Sequence, residues 1–199
     1  MPPKAKYTRQ QIVNIAFDHV RKKGWETVSA RSIARELGSS TRPIYSFFKS
    51  MVSLKEAVLQ KALEMLFTFQ TAKRTEDPFL DMGVGTLVFA RQEKNLFRFL
   101  NDERNMEIKK KYDREIFNAA YDRLSNYEKF SGFPNELKKE FMFTMWIYTL
   151  GMVALIDNSY ADEWNEEQIT DMLRQTGITL RLGYQTKLSE SKKERNIGE

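Results

Sequence analysis

The sequence has no cysteine among its 199 residues and one histidine, His19. The first absence excludes disulfides, thiolate nucleophiles and the common zinc motifs, and it fits a reducing compartment. With a lone imidazole and no glycine-rich phosphate loop, no carboxylate–histidine cluster is available for catalysis. His19 reads as an ordinary surface or boundary side chain. The acid pairs Asp162-Glu163 and Glu166-Glu167 stand at a helix start, where they suit the helix dipole. An enzyme is not expected, nor is any cofactor or metal. Glycine (9) and proline (5) are also sparse, and strand signals are weak. No period-2 run of useful length appears, and no Asn-Gly or Asp-Gly hairpin. The most apolar stretch, Phe141 to Ile156, is interrupted by Thr144 and Thr149. It falls short of the ~20 residues that cross a bilayer and reads as a buried helix. Met1 to Gln11 is polar and lacks an apolar h-region, so no signal peptide is expected. The protein reads as cytoplasmic, with no membrane partner.

Charge is present but uneven. Residues 1–60 hold eleven Lys and Arg against four Asp and Glu, while the other 139 hold 21 against 23. The net charge of +5 therefore belongs to the N-terminal third, as a phosphate-facing surface requires.

Nearly every segment reads as helix. Thr8 to Gln11 is a capping box, followed by an apolar stripe of Ile12, Ala16 and Val20 with Val13 and Phe17 alongside. Gly24 ends this helix after a cationic last turn, Arg21-Lys22-Lys23. Ser29 is the next expected N-cap, with Ile33, Ala34 and Leu37 facing inward. Gly38 breaks that helix, and Ser40 is expected to cap a short third one carrying Ile44, Tyr45 and Phe48. Ser53 and Glu56 read as a second capping box, opening a long helix to about Lys73. Thr75-Glu-Asp-Pro78 breaks the pattern, and further helices are expected over 79–92, 95–101, 105–128, 135–158 and 164–188. The expected class is all-α. Its expected domains are a helix-turn-helix unit over 1–52, a larger helical unit over 53–188 and a disordered tail over 189–199.

The stretch Gly38-Ser-Ser-Thr-Arg-Pro-Ile-Tyr45 carries the functional signal. In a helix-turn-helix the second helix enters the major groove, its first residues meet base edges, and flanking groups hold phosphates. That requires a turn residue tolerant of unusual φ (Gly38) and apolar anchors on both helices (Ile33, Leu37, Ile44, Phe48). It also requires outward donors, here Ser39, Ser40, Thr41, Arg42, Tyr45 and Lys49. Pro43 falls in the first turn, where its missing N–H costs little.

With Ile12, Ala16, Val20, Gly24, Ser29, Arg31, Ile33, Ala34, Gly38, Ser40, Ile44, Tyr45 and Phe48 at intact spacings, the first 60 residues resemble the DNA-binding domain of the TetR (tetracycline repressor-like) family of bacterial regulators. The resemblance covers about a third of the chain. It implies that Ser29, Arg31, Ser40, Thr41, Arg42, Pro43, Tyr45 and Lys49 meet DNA. Thr41, Arg42 and Pro43 would be at base-reading positions and Tyr45 at a phosphate. Three positions depart from the family pattern. Met51-Val52 replaces a common Lys-Glu, Phe47 stands where His is frequent, and Arg42 replaces a small residue.

The resemblance also implies that the C-terminal part dimerises and binds an effector. Phe143, Ile147, Leu150 and Gly151 on one helix and Leu173, Leu180 and Tyr184 on the last are the expected dimer residues. Gly151, Gly177 and Gly183 would allow close approach between chains. Aromatic and methionine side chains Phe67, Phe89, Phe97, Phe117, Tyr121, Met145, Tyr148 and Met152 are candidates for an adaptable apolar pocket. The expected function is a homodimeric repressor of a near-palindromic operator, released by an apolar or amphipathic small molecule. The alternative is an interaction protein on the same fold, an activator or chromosome-associated factor controlled by a protein co-regulator.

Overall fold

The computed structural model describes residues 7–197, with side-chain surroundings through residue 190. Among these residues the regular structure is helical throughout, with no strand. Nine α-helices follow in order: α1 (Arg9–Lys23), α2 (Ala30–Glu36), α3 (Arg42–Phe47), α4 (Met51–Thr71), α5 (Pro78–Gln92), α6 (Lys94–Leu100), α7 (Met106–Ser125), α8 (Asn135–Asp157) and α9 (Glu166–Ile197). The contacts divide the chain into two compact units. The first is Met1–Thr68 with Gln92–Tyr112, and the second is Phe69–Arg91 with Asp113–Glu199. The division differs from a single boundary at residue 52, because α6 and the start of α7 join the first unit from far along the chain.

In the first unit, local chemistry sets the helix starts. Thr8 and Gln11 exchange both bonds of a capping box, Gln11 N to Thr8 Oγ1 at 3.2 Å and Thr8 N to Gln11 Oε1 at 2.8 Å. Ser29 and Ser32 do the same for α2. Ile12, Val13, Ala16, Phe17 and Val20 bury one side of α1 as the stripe predicts. The α4 start is corrected: the helix begins at Met51, and Ser53 exchanges bonds with Ser50, not with Glu56. The side chain of Lys61, on α4, donates to Asn14 at 2.6 Å and lies 4.5 Å from the Phe17 ring centroid.

The late-sequence piece of this unit is fastened to α1. Glu93, 6% exposed, accepts from both Nε (2.7 Å) and Nη2 of Arg21, and Asn95 donates to the Arg21 carbonyl. The hydrogen bond from Arg21 to Glu93 raises the guanidinium pKa above its usual value. Trp25 stacks on Phe99 at 5.4 Å, with the Lys55 ammonium over both rings. Burial, then the nearby Arg104 charge, pushes the Lys55 pKa down. Removing Arg21 strands a buried carboxylate, whereas removing Glu93 leaves an arginine that water can still reach. Arg21→Ala should therefore destabilise more than Glu93→Ala. A loss of about 2 kcal/mol is expected, below the ~3–5 of a fully buried pair because Arg21 is half-exposed. Urea unfolding of both variants checks the order.

The second unit is organised around α5, α8 and α9. Leu80, Val84, Leu87, Val88 and Phe89 are buried along α5. Asp81, also buried, accepts from Arg74 N, Thr75 N and Thr75 Oγ1 and so fixes the turn before the helix. Phe130 packs against Phe133 and Phe141 at 5.1 and 4.7 Å. Ile169, Leu173 and Tyr184 anchor α9, and the Tyr184 hydroxyl donates to Glu140 on α8 at 3.1 Å. α9 continues through Ile197, past the expected end at 188. The physical reason is compositional: from Tyr184 to Ile197 the sequence holds neither glycine nor proline and is rich in Lys, Glu and Arg, all good helix formers. α8, at 23 residues, is long and apolar enough to cross a bilayer by length and composition alone. Its first turns, Asn135-Glu-Leu-Lys-Lys-Glu140, are charged, and its Phe141, Met142, Met145, Met152, Val153 and Ile156 are buried within the protein.

Candidate nucleic-acid interface

The turn between α2 and α3 is built on Gly38, whose φ of +60° lies in the left-handed region that favours glycine. Around it, Ser39 N donates to the Ala34 carbonyl at 2.9 Å and Gly38 N to that of Arg35 at 3.1 Å, which closes the end of α2. The N-cap of α3 is Thr41, not Ser40, and its side chain makes no capping bond. Ser40 Oγ instead accepts from Arg42 N at 3.4 Å. With Arg42 as the first helical residue, the proline takes the second position, where no intrahelical N–H is required. Ile44 and Phe48 are buried at 1% and 3% and hold α3 against its unit. The Arg9 guanidinium lies 4.8 Å from the Phe48 ring centroid.

What remains outward is a short helix with a polar and cationic face. Arg42, Tyr45, Ser46, Phe47 and Lys49 are exposed, Thr41 and Pro43 half-exposed. Arg31 is exposed on α2. The Ser29 oxygen is already engaged, accepting from Ser32 N at 3.0 Å. Among the described residues no carboxylate pairs with Arg31, Arg35, Arg42 or Lys49, so these cations are uncommitted. His19 is committed: its Nε2 lies 2.5 Å from Glu36 Oε2 and ties α1 to the end of α2. All of this belongs to the first unit.

Two solved structures share this architecture. One is a TetR-like transcriptional regulator from Rhodococcus sp. RHA1, 15% identical, with a TM-score of 0.58 over 89% of this chain and 96% of the other. The second, a TetR family protein from Vibrio parahaemolyticus, is 16% identical, with a TM-score of 0.55 over 86% of this chain and 98% of that one. The chain has a TetR-like fold. The match runs through both units, so the TetR-like architecture extends beyond the 60 residues whose motif resembles it. No protein-family model matches the sequence, and no curated protein does.

Within this TetR-like fold the second unit rearranges the remaining expected residues. Phe143, Ile147, Leu150 and Gly151 are exposed on α8. Leu173 and Tyr184, expected beside them at a dimer face, are instead buried within their own unit, and Leu180 is half-buried. Gly177 packs against Met145 and Phe141 of the same chain, whereas Gly151 and Gly183 have open space. Trp146 and Leu155 on α8 and Ile178 and Leu182 on α9 are further exposed apolar side chains. The sequence reading missed these four. Ile178 and Leu182 could have been found from their i, i+4 spacing on the side of α9 away from Ile169 and Leu173.

The expected pocket residues do not share one unit. Phe67 and Phe97 lie in the first, and Phe67 is 46% exposed. The other six lie in the second, where Phe89, Met145 and Met152 are buried and Phe117, Tyr121 and Tyr148 half-exposed. A cleft of about 290 Å³ in that unit is lined by Gln70, Lys73, Thr75, Glu76, Asp81 and Arg123 among others, and by none of those eight.

Proposed function

We propose that this protein is a homodimeric DNA-binding transcriptional regulator, in its simplest form a repressor of a near-palindromic operator. One observation carries the reading. A recognition helix anchored by buried Ile44 and Phe48 presents Thr41, Arg42, Pro43, Tyr45 and Lys49 outward, and among the described residues Arg31 and Arg35 on α2 beside it have no acidic partner. Base edges would be read by Thr41, Arg42 and Pro43. Arg42 reaches a guanine O6/N7 pair with its planar fork, while Tyr45, Lys49, Arg31, Ser29 and Ser40 hold the flanking backbone.

A second copy supplies the second reading head. The exposed side of α8, with Ile178 and Leu182 of α9, is the apolar surface a two-fold partner would cover, since a two-fold interface uses the same patch on each chain. Two heads about one DNA turn apart, ~34 Å, then fit two half-sites. α4 runs from the first unit into the second. A ligand that prefers one conformation of the second unit can therefore bias the heads between competent and incompetent states. Phe117, Tyr121 and Tyr148 are the side chains best exposed to meet such an apolar or amphipathic ligand. This reading places the protein in the cytoplasm with its DNA.

The experiment is selection from a random duplex DNA library with purified protein at near-physiological salt. A two-fold symmetric enriched site is expected. Arg42→Ala should then relax preference at one position of each half-site, by about 1–3 kcal/mol of base discrimination. Salt-sensitive binding without any enriched sequence would reduce the basic unit to counterion release and overturn the reading.

A further inference from the structure

The outward face of α3 is not wholly polar. Phe47 is 38% exposed, although the next residue, Phe48, is 3% exposed. Among the described residues no ring or cation stacks on Phe47. Pro43 stands four residues earlier, so the two project from the same side of the helix one turn apart. A phenyl ring and a pyrrolidine ring donate no hydrogen bond, and neither can hold a phosphate. The apolar group that a B-DNA major groove offers to such a pair is the C5-methyl of thymine.

We propose that Phe47, with Pro43 beside it, packs on a thymine methyl in each half-site, so that Phe47 is a specificity-determining residue. The assignment rests on the DNA-reading function proposed above. On one recognition helix, Arg42 reads by charge and hydrogen bonds near the N-terminus, and Phe47 reads by apolar contact near the C-terminus. The operator should therefore hold a thymine at a fixed offset from the base read by Arg42. Deoxyuridine pairs identically but lacks the methyl, so it isolates this contact.

The test takes the enriched site from the library selection and replaces each thymine in turn by deoxyuridine. Wild-type protein is expected to lose about fourfold in affinity per half-site at one symmetric thymine pair, the transfer free energy of one methyl-sized group. Phe47→Ala should bind the thymine and deoxyuridine sites equally, and Phe47→Leu should retain part of the discrimination. Because Phe47 is a surface side chain, both variants should keep the helical circular dichroism of the wild type and its salt-dependent binding to random DNA. Wild-type binding indifferent to every deoxyuridine substitution would overturn the proposal while leaving DNA reading intact. So would a Phe47→Ala variant that still discriminates. Failure to enrich any site would remove the underlying function and this proposal with it.

Discussion

Replacing Ile147 with glutamate is expected to yield a monomer and to lower operator affinity on the order of 10²–10³-fold. Ile147 is 55% exposed, at the middle of a stripe with Phe143 and Leu150 on α8. Phe143 and Trp146 hold each other at 5.7 Å, so the face presents a preformed aromatic pair. In the proposed dimer a carboxylate at position 147 would meet its own symmetry mate or an apolar surface, and either way it would lose its water without a partner. In the isolated chain the same side chain points to solvent, so the fold should be unaffected. The affinity loss follows from linkage. Once one head is seated, the second binds at an effective concentration in the millimolar range, and a monomer forfeits that gain. Sedimentation velocity reads the oligomeric state. Trp146, 46% exposed in the single chain, gives an independent fluorescence signal that should shift as wild-type dimer is diluted. Val52→Glu is the control, because Val52 is 65% exposed in the first unit and should leave the oligomer unchanged. A dimeric Ile147→Glu protein would move the interface elsewhere.

The helix-turn-helix was legible because its determinants are local. Thr8 with Gln11, Ser29 before a helical run, Gly38 at a turn and the spacing of Ile33, Ile44 and Phe48 each act within a few residues. Where a local rule had two solutions, the nearest competitor decided. Ser50 displaced Glu56 as the partner of Ser53, and the N-cap of α3 is Thr41, one residue past Ser40. Non-local features were not legible. Nothing in the sequence around Glu93 says that it closes on Arg21, 72 residues earlier, which is what brings α6 into the first unit. α8 posed a different difficulty. It is apolar on most sides, so periodicity alone could not tell the face turned to Phe130 and α9 from the face left open. Trp146, on α8, was missed for that reason, while Leu173 and Tyr184, on α9, are buried within their own unit.

Gly85→Ala should destabilise the protein by about 3 kcal/mol, and its sign alone is diagnostic. Gly85 sits inside α5, where an alanine normally gains up to about 1 kcal/mol over glycine through helix propensity. A Cβ at this position, however, would stand 2.1 Å from the Phe69 carbonyl oxygen and 2.7 Å from the Gln70 Cα. These are backbone atoms at the end of α4, and no rotamer change can clear them. The helix must instead move off by an ångström or more. That separates Phe69 from Phe89, now 5.3 Å apart edge to face, and stretches the 3.1 Å bond from Gln70 to Thr86. Overpacking of this kind typically costs about 1–3 kcal/mol when side chains can yield, and backbone against backbone lies at or above the upper end. Gly183→Ala gives the comparison, because a Cβ there meets nothing within 4 Å and the residue is exposed on α9. It should show the small stabilisation of a solvent-facing helical alanine. Urea unfolding of the two variants should therefore move in opposite directions from wild type. A Gly85→Ala variant as stable as the Gly183→Ala one would mean that α5 and the end of α4 do not approach this closely in solution.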